Sequence, residues 1–324
     1  MDTRWTKIFQ LVIIAGLSTS LAGCNWYSML NAKKSFKTAN GLYQAQEYER
    51  AAEAYLETVA NPGAFEQAPE LVVAYFYLGN SYDNMYRPSR KGEEENDGFL
   101  TKAVEYYQLA ADHIEDPRMK QLSMQYLVAS YGIDKLNDPG QAEPIIRRMI
   151  EANPEETTNY FALARLYEDS GLYDMAEDTL TSAREMRPDD AAVYLQLAGY
   201  YNRQGDFEET MIALDERATR EPNNPEAYYT ISTYYWEKAF RDFNLSEEEK
   251  AQYVLDGLVA IDKALDLKDD YMEAMVYKNI LLRMQANVTT NQEEQDALIA
   301  EADALRDAAD EIRIERAAGA GVAG

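Results

Sequence analysis

The sequence predicts an all-helical protein of stacked helix hairpins, and three observations carry that reading. Tyr160, Leu163, Ala164, Tyr167, Gly171, Tyr173, Ala176, Leu180, Ala183 and Pro188 return 34 residues later as Tyr194, Leu197, Ala198, Tyr201, Gly205, Phe207, Thr210, Leu214, Arg217 and Pro222. Within each copy the apolar positions fall at helical spacing. The register also propagates beyond the two copies, which a chance match would not do.

Each element has a physical reason. Counted from Thr157 or Ala191, positions 4, 7, 8 and 11 share one face of a first helix, and positions 17, 20, 24 and 27 share one face of a second. Small residues at positions 8 and 20 let the two helices approach closely. Gly171 and Gly205 end the first helices where a left-handed residue is cheap, and Pro188 and Pro222 stop the second. One hairpin cannot bury its own apolar face, so neighbours must stack.

The register extends both ways. Ala39, Leu42, Tyr48, Ala51 and Tyr55 mark a unit at 32–65, and Ala142, Ile146, Met149 and Pro154 mark one at 123–156. Between them Tyr75, Leu78, Gly79 and Tyr82 pair with Ala103, Tyr107 and Ala110, in a register shifted by an insertion (unit 72–117). Downstream of the copies at 157–190 and 191–224, Tyr228, Ile231, Ser232 and Tyr235 pair with a displaced Gly257, Ile261 and Ala264 (unit 225–271). A longer degenerate hairpin follows, with the repeats reaching about residue 285, a capping helix over 286–316 and a disordered tail at 317–324.

This pattern resembles the tetratricopeptide repeat. The resemblance implies a right-handed superhelical solenoid of about seven hairpins whose first helices line a concave groove. Positions facing that groove in the family fall here on Phe76, Asn80, Asp83 and Asn84; Leu127, Tyr131 and Asp134; Phe161, Arg165, Glu168 and Asp169; Leu195, Asn202 and Arg203; and Tyr229, Thr233, Trp236 and Glu237. Aromatic and Arg side chains anchor interfaces, and Asn can hydrogen-bond an extended backbone of any sequence. About half of these positions are expected to pack between neighbouring helices instead. The 25 Tyr, against 9 Phe and 3 Trp, fall chiefly on core positions.

The first 23 residues read as an export signal: Arg4 and Lys7 precede an apolar run from Ile8 to Leu17, too short to span a bilayer. Leu21-Ala22-Gly23-Cys24 resembles the lipobox of bacterial lipoproteins, which implies acylation of Cys24, with 24–31 as a lipid-anchored linker. Several acyl chains hold at a membrane where one would only visit. By the same resemblance, Asn25 after the Cys implies the outer membrane, facing the periplasm. Lys33, Lys34 and Lys37 read as a solvated first helix turn rather than a lipid-binding cluster.

The net charge is −26, a field that repels phosphate backbones and sets nucleic-acid binding aside. One Cys and one His supply no zinc site, and His113 reads as a helix C-terminal residue rather than a general base. The acidic stretch from Arg87 to Gly98 lacks calcium-loop spacing and reads as a solvated loop. In the second insertion, Phe240 to Lys250, Ser246 and Glu249 form a capping box. No enzyme, metal or cofactor is therefore expected. The expected function is a membrane-tethered scaffold that holds a peptide or protein in its groove within an envelope assembly such as outer-membrane biogenesis, pilus or secretion machinery. The alternative is a small-ligand receptor serving a transporter, with Phe161, Tyr229 and Trp236 lining its pocket.

Overall fold

The computed structural model describes residues 26–60 and 62–320; these form helices, short 3-10 turns and connectors, with no strand among them. The signal segment and Cys24 lie outside the described residues, as do 321–324. Fourteen α-helices follow one another in consecutive pairs among the described residues: α1 (26–44) then α2 (Tyr48–Val59), α3 (Ala74–Met85) then α4 (Glu94–His113), α5 (Pro117–Ser130) then α6 (Pro139–Ala152), α7 (Thr157–Asp169) then α8 (Tyr173–Met186), α9 (Ala191–Gln204) then α10 (Phe207–Arg220), α11 (Pro225–Arg241) then α12 (Glu247–Leu267), and α13 (Met272–Val288) then α14 (Gln292–Ala320). They fall into two compact units, residues 1–176 and 177–324, divided within α8.

The repeat positions behave as their spacing requires. Gly171 and Gly205 take left-handed φ values of 74° and 80° where the first helices of their hairpins end. Second helices α8 and α10 stop at Met186 and Arg220, two residues short of Pro188 and Pro222. The two departures from the small-residue pattern are absorbed by hydrogen bonds. Thr210, fully buried, returns its hydroxyl to the Asp206 carbonyl at 2.6 Å. Buried Arg217 donates from Nε to Glu221 at 3.2 Å and from Nη1 to the Thr230 hydroxyl at 3.3 Å.

In the first unit the core gathers Ala39, Ala51, Tyr55, Leu78, Ala103, Tyr107 and Leu127. Tyrosine suits this core because its ring fills volume while its hydroxyl reaches a polar partner: Tyr55 donates to Asn40 Oδ1 at 2.6 Å. In the second unit Val254, Ile261, Ala264, Leu281 and Ala302 join α12, α13 and α14. Each fully buried aliphatic side chain such as Ile261 or Leu281 contributes about 1.5–3 kcal/mol. Lys278 on α13 pairs with Asp262 on α12 at 2.8 Å and with Glu301 on α14 at 2.7 Å, so one cation ties the three helices.

Three boundaries differ from the sequence expectation. The stretch Arg87–Gly98 is not all loop: α4 begins at Glu94, placing Glu94, Glu95 and Asp97 in its first turn, where the positive end of the helix dipole favours carboxylates. Buried Asn96 then staples the preceding turn, accepting from the Arg87 amide at 2.8 Å and donating to the Arg87 carbonyl at 3.1 Å. At the C-terminal end α14 continues through Ala320, past the expected limit at residue 316, because alanine-rich sequence favours helix. Residues 26–31 of the expected linker belong to α1.

Candidate functional site

In the first unit, packing closes much of the first-helix face. Phe76 and Asn80 are only 5% and 6% exposed, so they are withdrawn as contacts for a partner. Phe76 meets the rings of Tyr77, Tyr107 and Tyr126 at centroid distances of 5.3–5.8 Å. Asn80 is the hub of a polar network. Tyr43 donates to its Oδ1 at 2.6 Å, its Nδ2 donates to the Tyr107 hydroxyl at 3.2 Å, and Asn84 donates to both its side-chain and main-chain oxygens at 2.8 Å. Asp83 accepts from Tyr107 at 3.4 Å and pairs with Lys135.

Leu127 is fully buried. Tyr131, half-buried, caps α5, and burial raises its hydroxyl pKa above the ordinary value. Phe161 is half-buried and Asp134 exposed. Arg165 stays open, 58% exposed, and pairs along its own helix with Glu168 at 3.8 Å and Asp169 at 3.0 Å. Arg165, Asp169 and the edge of Phe161 are what this face offers a partner.

In the second unit the face divides into a closed part and an open part. Tyr229 packs against Tyr271 and Tyr277 at 5.3 and 5.4 Å, and Trp236 stacks on Phe240 and meets Tyr277 edge-on, both at 5.4 Å. Burial first, then the neighbouring Tyr277 and Tyr271, push the Tyr229 hydroxyl up to about 12. The Trp236 indole nitrogen is buried with no hydrogen-bond partner. Thr233 returns its hydroxyl to the Thr230 carbonyl at 2.7 Å, and Leu195 is half-buried.

The open part lies at the ends of α9 and α11, where Asn202 and Arg203 are exposed. Asn202 and Glu237 line an open cavity of about 670 Å³ together with Tyr234, Lys238, Arg241 and Phe243. Arg241 pairs with Glu237 and Lys238 with Asp242, each at 2.8 Å, and Phe243 is 89% exposed. Sequence reasoning assigned the Phe240–Lys250 insertion a structural job and so missed Arg241 and Phe243, while Lys238 falls on none of the groove positions. The signal was present: Phe240-Arg241-Asp242-Phe243 sets aromatics beside charges off the repeat positions, the composition of an interface anchor. The structural part of that reading holds, since Ser246 and Glu249 form a reciprocal capping box, with bonds of 2.8 and 3.2 Å.

His113 ends α4, its ring 6.0 Å from that of Tyr75. Among the described residues no three His, Cys, Asp or Glu side chains are grouped to hold a metal ion, and no helix is long and apolar enough to cross a membrane.

A tetratricopeptide repeat family model matches residues 135–198. Those residues are similar to the tetratricopeptide repeat. The match spans α6, α7 and α8 and the start of α9. Among solved structures, the C-terminal part of a TPR repeat-containing protein from Cytophaga hutchinsonii aligns at 14% identity over 83% of this chain and 95% of its own, with a TM-score of 0.53, which carries the tetratricopeptide-type fold and nothing finer. A tetratricopeptide repeat protein from Parabacteroides merdae aligns at 13% identity over 84% and 99%, with a TM-score of 0.43. MamA aligns at 18% identity over 56% and 92%, with a TM-score of 0.40. No curated protein matches the chain.

Proposed function

We propose that this chain is a membrane-anchored tetratricopeptide scaffold that binds a peptide or protein partner on the first-helix face, within an assembly of the cell envelope such as outer-membrane biogenesis, pilus or secretion machinery. The observation that carries the binding role is the open cavity at the ends of α9 and α11. There an exposed amide (Asn202), a cation (Arg241), an anion (Glu237) and a nearly bare aromatic ring (Phe243) converge on one space. The amide can hydrogen-bond a passing main chain, and the ring and guanidinium can anchor side chains. The tether rests on Leu21-Ala22-Gly23-Cys24 at the end of an apolar signal core.

The receptor reading is weaker. The Tyr229 and Trp236 rings it would line a pocket with are occupied by Tyr271, Tyr277 and Phe240.

A photo-crosslinking residue placed at Phe243 or Asn202 of the full chain, in the cells that make it, tests the binding role. A discrete adduct is expected from both positions and is weakened by Arg241→Glu. Adducts indistinguishable from those formed at exposed Glu57 would overturn it.

A further inference from the structure

A second cavity lies on none of the predicted groove residues. It is an open trough of about 940 Å³ in the second unit, walled by α10 and α12 and floored by α11. Here α12 packs on α11 and α13, and α10 packs on α9 and α11, so the trough lies between two second helices that meet mainly through α11.

The trough has two chemical zones. Its floor is Ile231 and Tyr235, and Val259, 72% exposed, projects from the α12 wall. Its rim is acidic: Asp215 on α10 faces Asp256 and Asp266 on α12. A fourth carboxylate, Asp262, is already paired with Lys278, and Lys263 is the one cation in the lining. Burial first, then the charges of Asp256 and Asp215, raise the Tyr235 hydroxyl above its ordinary value, so both carboxylates bear on the floor.

We infer that this trough docks a cationic amphipathic helix, its apolar stripe on Ile231, Tyr235 and Val259 and its lysines or arginines on Asp215, Asp256 and Asp266. Charge complementarity selects the cation, and exposed Val259 beside half-buried Tyr235 selects the stripe. The lining contains no Asn or Gln to bond an extended main chain, whereas a helix satisfies its own backbone groups. Ten residues of α12 separate Asp256 from Asp266, about 15 Å at helical rise, so the partner's outer cations stand about three turns apart.

The test is fluorescence anisotropy on the full chain at physiological salt. The probe is a labelled leucine–lysine model helix of about five turns, compared with a scrambled isomer that has no stripe. The striped helix is expected to bind about tenfold more tightly than its isomer, and to weaken about tenfold on D256K/D266K and on V259D. The E57K/E66K variant, with the same charge change on exposed positions of the first unit, leaves binding within about twofold. Circular dichroism confirms that each variant is folded. Equal binding of the two isomers, equal weakening by the two double variants, or no effect of V259D would overturn the proposal.

Discussion

Tyr201 on α9 donates its hydroxyl hydrogen to Glu177 on α8 at 2.9 Å, and Tyr167 on α7 makes the same bond to Glu143 on α6 at 2.7 Å. Both pairs are 24 residues apart and lie one repeat length from each other, so the bond is part of the repeat although it joins adjacent hairpins. A tyrosine at position 11 and a glutamate at position 21 of the preceding hairpin add a recurring polar stitch to the apolar contact between neighbours. Tyr201→Phe is expected to lower unfolding stability by about 1 kcal/mol, read by urea denaturation. No change would show that the bond adds nothing to stacking.

The pair at Glu143 carries a pH signature. The Arg147 guanidinium first, then the Tyr167 hydroxyl, hold the Glu143 carboxyl below its ordinary 4.5. A carboxylate with a lowered folded-state pKa contributes stability above its unfolded value and loses it as pH falls through the folded value. The stability gap between the native chain and Glu143→Gln is therefore fully open above about pH 4.5 and closes in more acid solution. Both partners are partly exposed, so the gap is about 0.5 kcal/mol. A gap that stayed constant to pH 3 would assign it to packing.

Gly79 sits where α3 presses on α4. A methyl group built there would lie 2.9 Å from the Tyr107 ring and 3.1 Å from the Ala103 carbonyl oxygen. Tyr107 is fully buried, so its ring cannot swing clear without disturbing the core. Gly79→Ala is expected to destabilise by about 1–3 kcal/mol, against the usual gain from alanine inside a helix. A thermal melt decides the sign.

The repeat was legible because its constraints are local and periodic: a left-handed glycine, a small residue at a helix crossing, a proline after a helix. Asn80 was less legible. It occupies a groove position in its own repeat, yet Tyr107 reaches it from a helix displaced by an insertion, and no spacing rule announces that contact. Asn96 is the same case, a polar residue in an acidic stretch that proves buried because it staples Arg87. The open site arises at an insertion, since the segment after α11 supplies Phe243 beside Arg241 at the end of that helix. Such features arise where the period breaks, so a reading built on the period passes over them.

Asn96→Ala tests the staple. It removes both bonds between the buried Asn96 side chain and the main chain of exposed Arg87, at a cost of about 1 kcal/mol. Because Asn96 ties the residue before the turn at Pro88–Arg90 to α4, limited proteolysis is expected to cut between Arg87 and Glu93 in the variant and to spare the native chain. Equal cutting of both would show that the turn is held by other contacts.

If Cys24 is the tether, all membrane affinity beyond weak surface contact resides in its acyl chains. The first turns of α1 leave Trp26 at 59%, Tyr27 at 65% and Leu30 at 40% exposure, a trio suited to the lipid headgroup level. They cannot replace the lipid, because three side chains bury far less hydrocarbon than two or three acyl chains at about 0.8 kcal/mol per methylene. Lys33 is engaged by Glu70 at 2.9 Å, which leaves Lys34 and Lys37, fewer than the roughly 4 to 8 cations of a lipid-binding cluster. Cys24→Ala is therefore expected to move the protein from the membrane pellet to the soluble fraction with its fold intact. In the acylated protein, Trp26→Ala with Tyr27→Ala changes the pelleted fraction little. A Cys24→Ala protein that still pelleted, and was freed only by the aromatic substitutions, would place the attachment in α1 and end the lipoprotein reading.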